Sequence, residues 1–359
     1  MMLRIQIIAS YFILSWTLAG TPLDYAIQFT TGYDSNVMRF STDEFRQAAL
    51  VSNVMGGADT FDSFVYRLGL LGNKSCWNSG KKEFIVSGNL HWTDYHHHPQ
   101  RKYGSSGFGI QYRWGPYQNI KYSLRHLDQF YLRHYVNRDI SNFSLSASSF
   151  TDHNQTITLT QKTGRREWFN LTMGFLQRYY EKPFTEFDLD IYYVRGKLNR
   201  RINNFGTVAF QLERGSADNI TFGKTAKASA LNRSYQTMEW YFPVRVKHKI
   251  PYMDEVGISA RRETRIYAAE DPDDPLHAGR SHIDSKYDFW LKKNIIESVN
   301  LVLTGRYRTR VTNSGYEWVE DLKSFQLLQL WCKIEWELLY DQYLSGLYCY
   351  NYSSNYELY

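Results

Sequence analysis

Three arginines recur at every second position in the stretch ESVNLVLTGRYRTR at 297–310: Arg306, Arg308 and Arg310. An extended chain puts alternate residues on one face, so the three share a side. The planar guanidinium binds carboxylate and phosphate in two-pronged fashion, and a wall of such groups lining a pore favours anions. Arg245, Lys247 and Lys249 share the polar face opposite Val244 and Val246, and Arg261 and Arg265 continue the face of Ser259. These positions predict one basic cluster in the C-terminal third. Two plainer roles remain open for it. Acids such as Glu263, Asp284 and Asp288 could neutralise it internally, and the ends of the stripes could meet lipopolysaccharide phosphates at headgroup level.

Other chemistry is thin. His96, His97 and His98 fall in TDYHHHPQRKY, without nearby carboxylates at ligand spacing, and read as a solvated loop. Asp271, Asp273 and Asp274 lack the glycine and distal glutamate of a helix-loop-helix calcium site and read as an exposed acidic loop. Hydrolysis needs a nucleophile, a base and an orienting group within reach. The chain has no G-x-S-x-G, and Ser123 with His126 has no recognisable third partner. An enzyme, a metal site and a cofactor are therefore not expected, and nucleic-acid binding has no motif support. Cys76, Cys332 and Cys349 are too few and scattered for a disulfide framework, although a bridge between the last two is conceivable.

The elements that must carry these residues are strands. From residue 60 the sequence alternates apolar and polar again and again. Phe64, Tyr66, Leu68 and Leu70 form one stripe; Phe108, Ile110, Tyr112 and Trp114 another. Phe143, Leu145 and Ala147 read as one strand and Ile157 and Leu159 as the next; Phe187, Leu189, Ile191 and Tyr193 form a further apolar stripe. Leu301, Leu303 and Tyr307 oppose the arginines, and a last stripe is read at Tyr348, Tyr350 and Tyr352. No helical period stands out. The strands span roughly 9–14 residues, against about 5–6 in soluble sheets and about 9–11 for a tilted bilayer crossing. Their second faces carry Gly, Ser, Thr, Asn, Gln and Arg instead of another apolar layer. In lipid every backbone polar group must be satisfied internally, which a closed sheet achieves. A large soluble β-sandwich is the rival architecture.

The opening MMLRIQIIASYFILSWTLAG has one early arginine, an apolar run from Ile5 to Trp16 and small residues ending at Ala19, the pattern of an export signal over 1–19. Aromatics make up 17% of the chain, with 29 Tyr and 10 Trp, and suit interfaces that are apolar on one side and wet on the other. Mean hydropathy is −0.50, which excludes a helical membrane protein. The formal net charge of +6 is too mild to name a partner.

Following the first strand, Gly32, Tyr33, Asp34, Asn36 and Arg39 spell Gly-Tyr-Asp-x-Asn-x-x-Arg. This resembles the opening motif of bacterial outer-membrane barrels, some linked to export of surface polysaccharide or surface protein. Asp and Asn at such a place also commonly bond their own backbone to make a turn. The expectation is an all-β protein: after the signal, residues 20–359 form a single transmembrane antiparallel up-and-down β-barrel of about 14–16 strands. Residues 34–60 form a long loop or a plug; the long connections elsewhere lie on the opposite parity in this reading. The expected location is the bacterial outer membrane, among lipid and lipopolysaccharide, with insertion by the barrel-assembly machinery. The expected role is a porin-like passive pore or export conduit for polar or anionic solutes, with saccharide as one candidate. A structural or surface-interaction barrel with a filled lumen, and a membrane-embedded lipid hydrolase, are the alternatives.

Overall fold

The computed structural model describes residues 23–50, 52–137, 139–141, 143–224, 231–247 and 250–338. The export signal at 1–19, Lys249, Cys349, the Tyr348–Tyr352 stripe and Tyr359 lie outside them. Fourteen antiparallel strands among the described residues close into one up-and-down barrel. In chain order they are β1 (Leu23–Asp34), β2 (Ser63–Ser79), β3 (Lys82–Tyr95), β4 (Tyr103–Gly115), β5 (Gln118–Val136), β6 (Leu145–Lys162) and β7 (Glu167–Tyr180). The second half comprises β8 (Leu189–Ile202), β9 (Gly206–Asn219), β10 (Tyr235–Val246), β11 (Glu255–Tyr267), β12 (Ser281–Ile296), β13 (Val299–Asn313) and β14 (Phe325–Leu338). Each strand pairs with its sequence neighbours, and β1 closes on β14, with Tyr25 opposite Leu338 and Asp34 opposite Gln329.

The alternation has its physical origin in this closure. Outward side chains form an apolar belt that includes Phe29, Leu68, Leu124, Phe210, Phe289 and Leu330. Met173 and Met238 are 59% and 61% exposed, which a core position would not allow. Inward side chains are largely polar, and Gln28, Thr160, Gln211, Asp284 and Asn300 are buried. The greasy face of 297–310 points out, with Leu303 and Tyr307 exposed, and its arginines point in.

Three expectations about the strands need correction. First, Leu145–Ala147 and Ile157–Leu159 lie on the single 18-residue strand β6, not on two strands. Its middle, SFTDHNQ, carries polar residues on both faces and so hides its continuity. With that strand counted once, 35–62 falls at the same end as the other long connections, 220–234, 268–280 and 314–324. The opposite end has tight links such as 80–81, 116–117 and 297–298. Second, the stripe at Leu189, Ile191 and Tyr193 faces inward. Leu189 packs on Ala217 and Tyr235 inside the barrel, while Tyr192, Val194 and Leu198 face out. Third, strands run to 12–19 residues because they extend past the apolar belt, where alternation fades.

Among the described residues two short α-helices also occur, α1 (Thr42–Leu50) and α2 (Glu317–Lys323). Helix α1 starts on a reciprocal cap: the Glu44 amide donates to Ser41 Oγ at 3.1 Å, and the Ser41 amide donates to Glu44 Oε2 at 3.0 Å.

Candidate functional site in the barrel lumen

The candidate site is the inner wall of β8–β13, facing a connection folded into the barrel. On this wall Asp288 stands opposite Arg306 and Asp284 opposite Arg310, whereas Arg308 stands opposite Lys286. Arg308 leans diagonally to escape this like-charge neighbour, a reach available to long side chains on a sheet. It grips Asp284 with two bonds, 2.8 Å from Nε and 2.6 Å from Nη2. Arg310 shares the same carboxylate at 2.9 Å. Arg306 Nε donates to Asp288 at 2.6 Å, and Ser259 Oγ donates to the other oxygen at 3.2 Å. One buried aspartate thus serves two arginines.

The neighbouring strands extend the pattern. Arg265 bonds Glu263 at 2.8 Å and lies over the Tyr235 ring, 4.1 Å from its centre. Arg261 lies 3.7 Å from Glu239 and 4.5 Å over Tyr241. Lys247 meets Glu255 at 3.2 Å near the short-turn end, close to Arg245, which stands opposite Gly257. The predicted cluster therefore comes together as a ladder. Arg245 and Lys247 lie at the short-turn end, Arg261 and Arg306 in the middle, and Arg308, Arg310 and Arg265 toward the long loops. Glu263, Asp284 and Asp288 pair with several of them, so much of the charge is internally compensated.

Sequence reasoning missed part of this wall. Arg195 bonds Glu213 at 2.6 Å, and Lys197 lies 5.7 Å over Tyr241. Both escape notice when the faces of β8 are read in reverse. Lys286, between Asp284 and Asp288 on one face, makes no hydrogen bond or ion pair among the described residues. Its signal was the same alternation that marks those two aspartates. With these included, inward cations outnumber inward carboxylates across β8–β13.

The opening motif launches the connection that faces this wall. A side chain at Gly32 would collide with the Trp331 ring, so only glycine lets β1 and β14 approach there. Tyr33 donates to Asp62 at 2.8 Å, which helps hold Asp62 ionised. Asp34 accepts from the Asn36 amide at 3.0 Å and from Gln329 Nε2 at 2.7 Å. Asn36 exchanges two bonds with the Phe40 backbone, each 2.8 Å, and donates to the Gln326 carbonyl at 3.1 Å. These contacts bend 35–40 into the barrel and fasten it to the β1–β14 seam. Arg39 holds a left-handed backbone, φ 56°, at the resulting turn.

The rest of 35–62 packs on the inner face of β5. Met38, Phe40, Ala48 and Met55 are buried around Tyr131. Glu44 of α1 meets Arg133 of β5 at 2.9 Å, and Arg133 lies over the Phe40 ring. Arg101, from the β3–β4 connection, donates to the Leu132 carbonyl at 3.1 Å. Arg39 faces the opposite, arginine-bearing wall. Its charge is opposed by burial and by Arg308, Arg101 and Arg310, and supported by Asp284. No hydrogen bond or ion pair engages its guanidinium among the described residues. The inside of the barrel thus carries an apolar insert on one side and a basic ladder on the other, with Arg39 near enough to Arg308 and Arg310 to feel their charge.

The loops differ from their expected form. His98 is fully buried, and burial and Arg101 lower its pKa to about 4; it is not part of a solvated loop. Asp274 is also buried, unlike exposed Asp271 and Asp273, and accepts from His277 Nδ1 at 2.8 Å while Arg233 donates to His277 Nε2 at 2.8 Å. Ser123 points into the barrel and His126 out of it, where it stacks on His153 at 4.7 Å, so the two cannot act on one substrate.

No family model and no curated protein matches the chain. Among solved structures it is similar to the outer membrane protein OprD from Pseudomonas aeruginosa, with 8% identity over 89% of this chain and 94% of that one, TM-score 0.39. It is also similar to Pseudomonas aeruginosa OpdQ, with 9% identity over 90% and 100%, TM-score 0.41. A third is Acinetobacter baumannii OccAB4, with 6% identity over 89% and 99%, TM-score 0.43. Identities this low establish no residue correspondences.

Proposed function

We propose that the chain is a bacterial outer-membrane barrel that passes polar or anionic solutes passively through a constricted, positively charged lumen. The observation that carries this reading is the excess of inward cations on β8–β13, centred on the Arg308–Asp284–Arg310 group, whose charge Arg39 feels. Cations exceed carboxylates there, and a water-filled constriction with low-dielectric walls focuses their field on a passing ion. Saccharides are candidate solutes because aromatic and arginine side chains share the inner wall. The exposed apolar belt and the edge-free sheet support a lipid environment, reached through export and the barrel-assembly machinery.

Planar-bilayer recording tests the reading. It expects single-channel steps with anion preference, reduced by Arg306→Glu and Arg308→Glu. Steps whose ion preference ignores both changes would count against the charged lumen. A second reading, a closed structural barrel, is favoured by one observation. Val37, Tyr95, Tyr103, Phe130, Phe150 and Trp331 form a buried apolar cluster inside the barrel. That reading expects no conductance steps.

A further inference from the structure

The outer wall interrupts its own apolar belt. On β9 the outward series Phe210, Leu212 continues as Arg214, Ser216 and Asp218. Arg214 lies between Val194 of β8 and Met238 of β10, both apolar and outward. Two strands away Arg262 of β11 also points out, between Trp240 and Ser285. Both arginines are exposed, and neither guanidinium makes a hydrogen bond or ion pair among the described residues. Strand spacing and a two-residue offset separate their Cα atoms by roughly 12 Å.

Beside Arg214 runs a groove of ≈ 430 Å³, lined by Met173, Tyr192, Val194, Arg214, Ser216 and Gln236. Its Met173 and Val194 side is apolar. Toward the long loops, Ser216 and Gln236 stand opposite each other and supply polar groups. Asp190 and Asp218 close this end and would repel an anion lying farther out. A guanidinium bare in hydrocarbon is disfavoured on such a wall, and its cost falls toward the interface. An anion arriving with its own acyl chains would meet both needs, since guanidinium pairs with phosphate in two-pronged geometry.

We infer that this wall holds a phosphorylated, acylated lipid, with Arg214 and Arg262 on its phosphates and an acyl chain in the Met173–Val194 groove. The inference rests on the reading above that the belt faces lipid. Two cations at this separation suit one head group bearing two phosphates, and Ser216 and Gln236 suit its hydroxyls.

The test uses the full chain in non-ionic detergent, titrated with a bis-phosphorylated acylated glycolipid and followed by native mass spectrometry. Arg214→Ala and Arg262→Ala are each expected to weaken binding about tenfold, the effect of removing one charge-assisted contact. Arg165→Ala, on an exposed short turn, is expected to leave it unchanged. The dephosphorylated lipid is expected to bind at least as poorly as the variants. Equal binding of the two lipids, or an unchanged Arg214→Ala/Arg262→Ala double variant, overturns the inference. Displacement by inorganic phosphate as effective as by the lipid also overturns it, since that is a bare anion site. A chain that enters liposomes but ignores the lipid phosphate sinks this inference alone. A chain that stays in the aqueous phase sinks the membrane reading with it.

Discussion

Replacing Asp284 with Asn tests the lumen most directly. Asp284 is 3% exposed and carries both Arg308 and Arg310. The substitution keeps the side-chain shape and removes one negative charge. At about 8 Å in an effective dielectric of about 80, one unit charge shifts a passing ion by about 0.5 kcal/mol. Anion and cation shift in opposite directions, so their ratio changes by about 1 kcal/mol, or about fivefold toward anions. Screening over about 10 Å at 0.1 M salt should shrink this, and about 3 Å at 1 M should nearly abolish it. The assay is reversal potential across a salt gradient, repeated at both concentrations. Arg308→Glu should move the same potential the other way. Two guanidiniums lose their shared acceptor, and breaking a buried ion pair costs about 3–5 kcal/mol. The variant should therefore also unfold at lower temperature, seen as earlier conversion to the heat-denatured gel form. Intact channels whose reversal potential does not move with Asp284→Asn, at either salt level, would refute a lumen potential set by this wall.

Gly32→Ala should destabilise the barrel by about 1–3 kcal/mol through collision with Trp331, again read by heat-modifiable migration. Gly72→Ala, whose nearest neighbour would be Leu23 at 3.9 Å, should leave it unchanged. Asn36→Ala removes three bonds that bend 35–40 inward and should weaken that anchor by about 1–3 kcal/mol, with noisier or larger conductance. Lys323 ends α2, which packs against α1 of the insert, and burial, with Arg133 of β5 next, pushes its pKa down to about 7. Lys323 is then charged below pH 7 and neutral above it, so anion preference should fall as pH rises from about 6 to 8. That pH response should vanish in Lys323→Met.

Much of this was legible because a barrel wall imposes one simple rule, alternation, on every residue in the belt. Leu301 to Arg310 could be assigned to their faces without any neighbour in view. The rule fails where the environment stops differing between faces. SFTDHNQ in β6 is polar on both sides, and it split one strand into two. Leu189 and Ile191 face an apolar patch inside the barrel, which reversed β8 and concealed Arg195 and Lys197. The insert was hidden for another reason. Its helix is too short for a clear period, although Ser41 and Glu44 at capping-box spacing signal its start. That Arg39 would come under the influence of Arg308 depends on the closed ring, a relation between residues far apart in the chain.

Asp34 and Asn36 bond to Gln329 and Gln326, on the final described strand. The fastening that holds the insert in the lumen therefore needs the N-terminal and C-terminal strands to be side by side. A barrel still open at that edge keeps the insert's packing on β5 but lacks its tie to β14. Closing the seam and clamping residues 35–40 are then coupled, so that loss of either weakens the other.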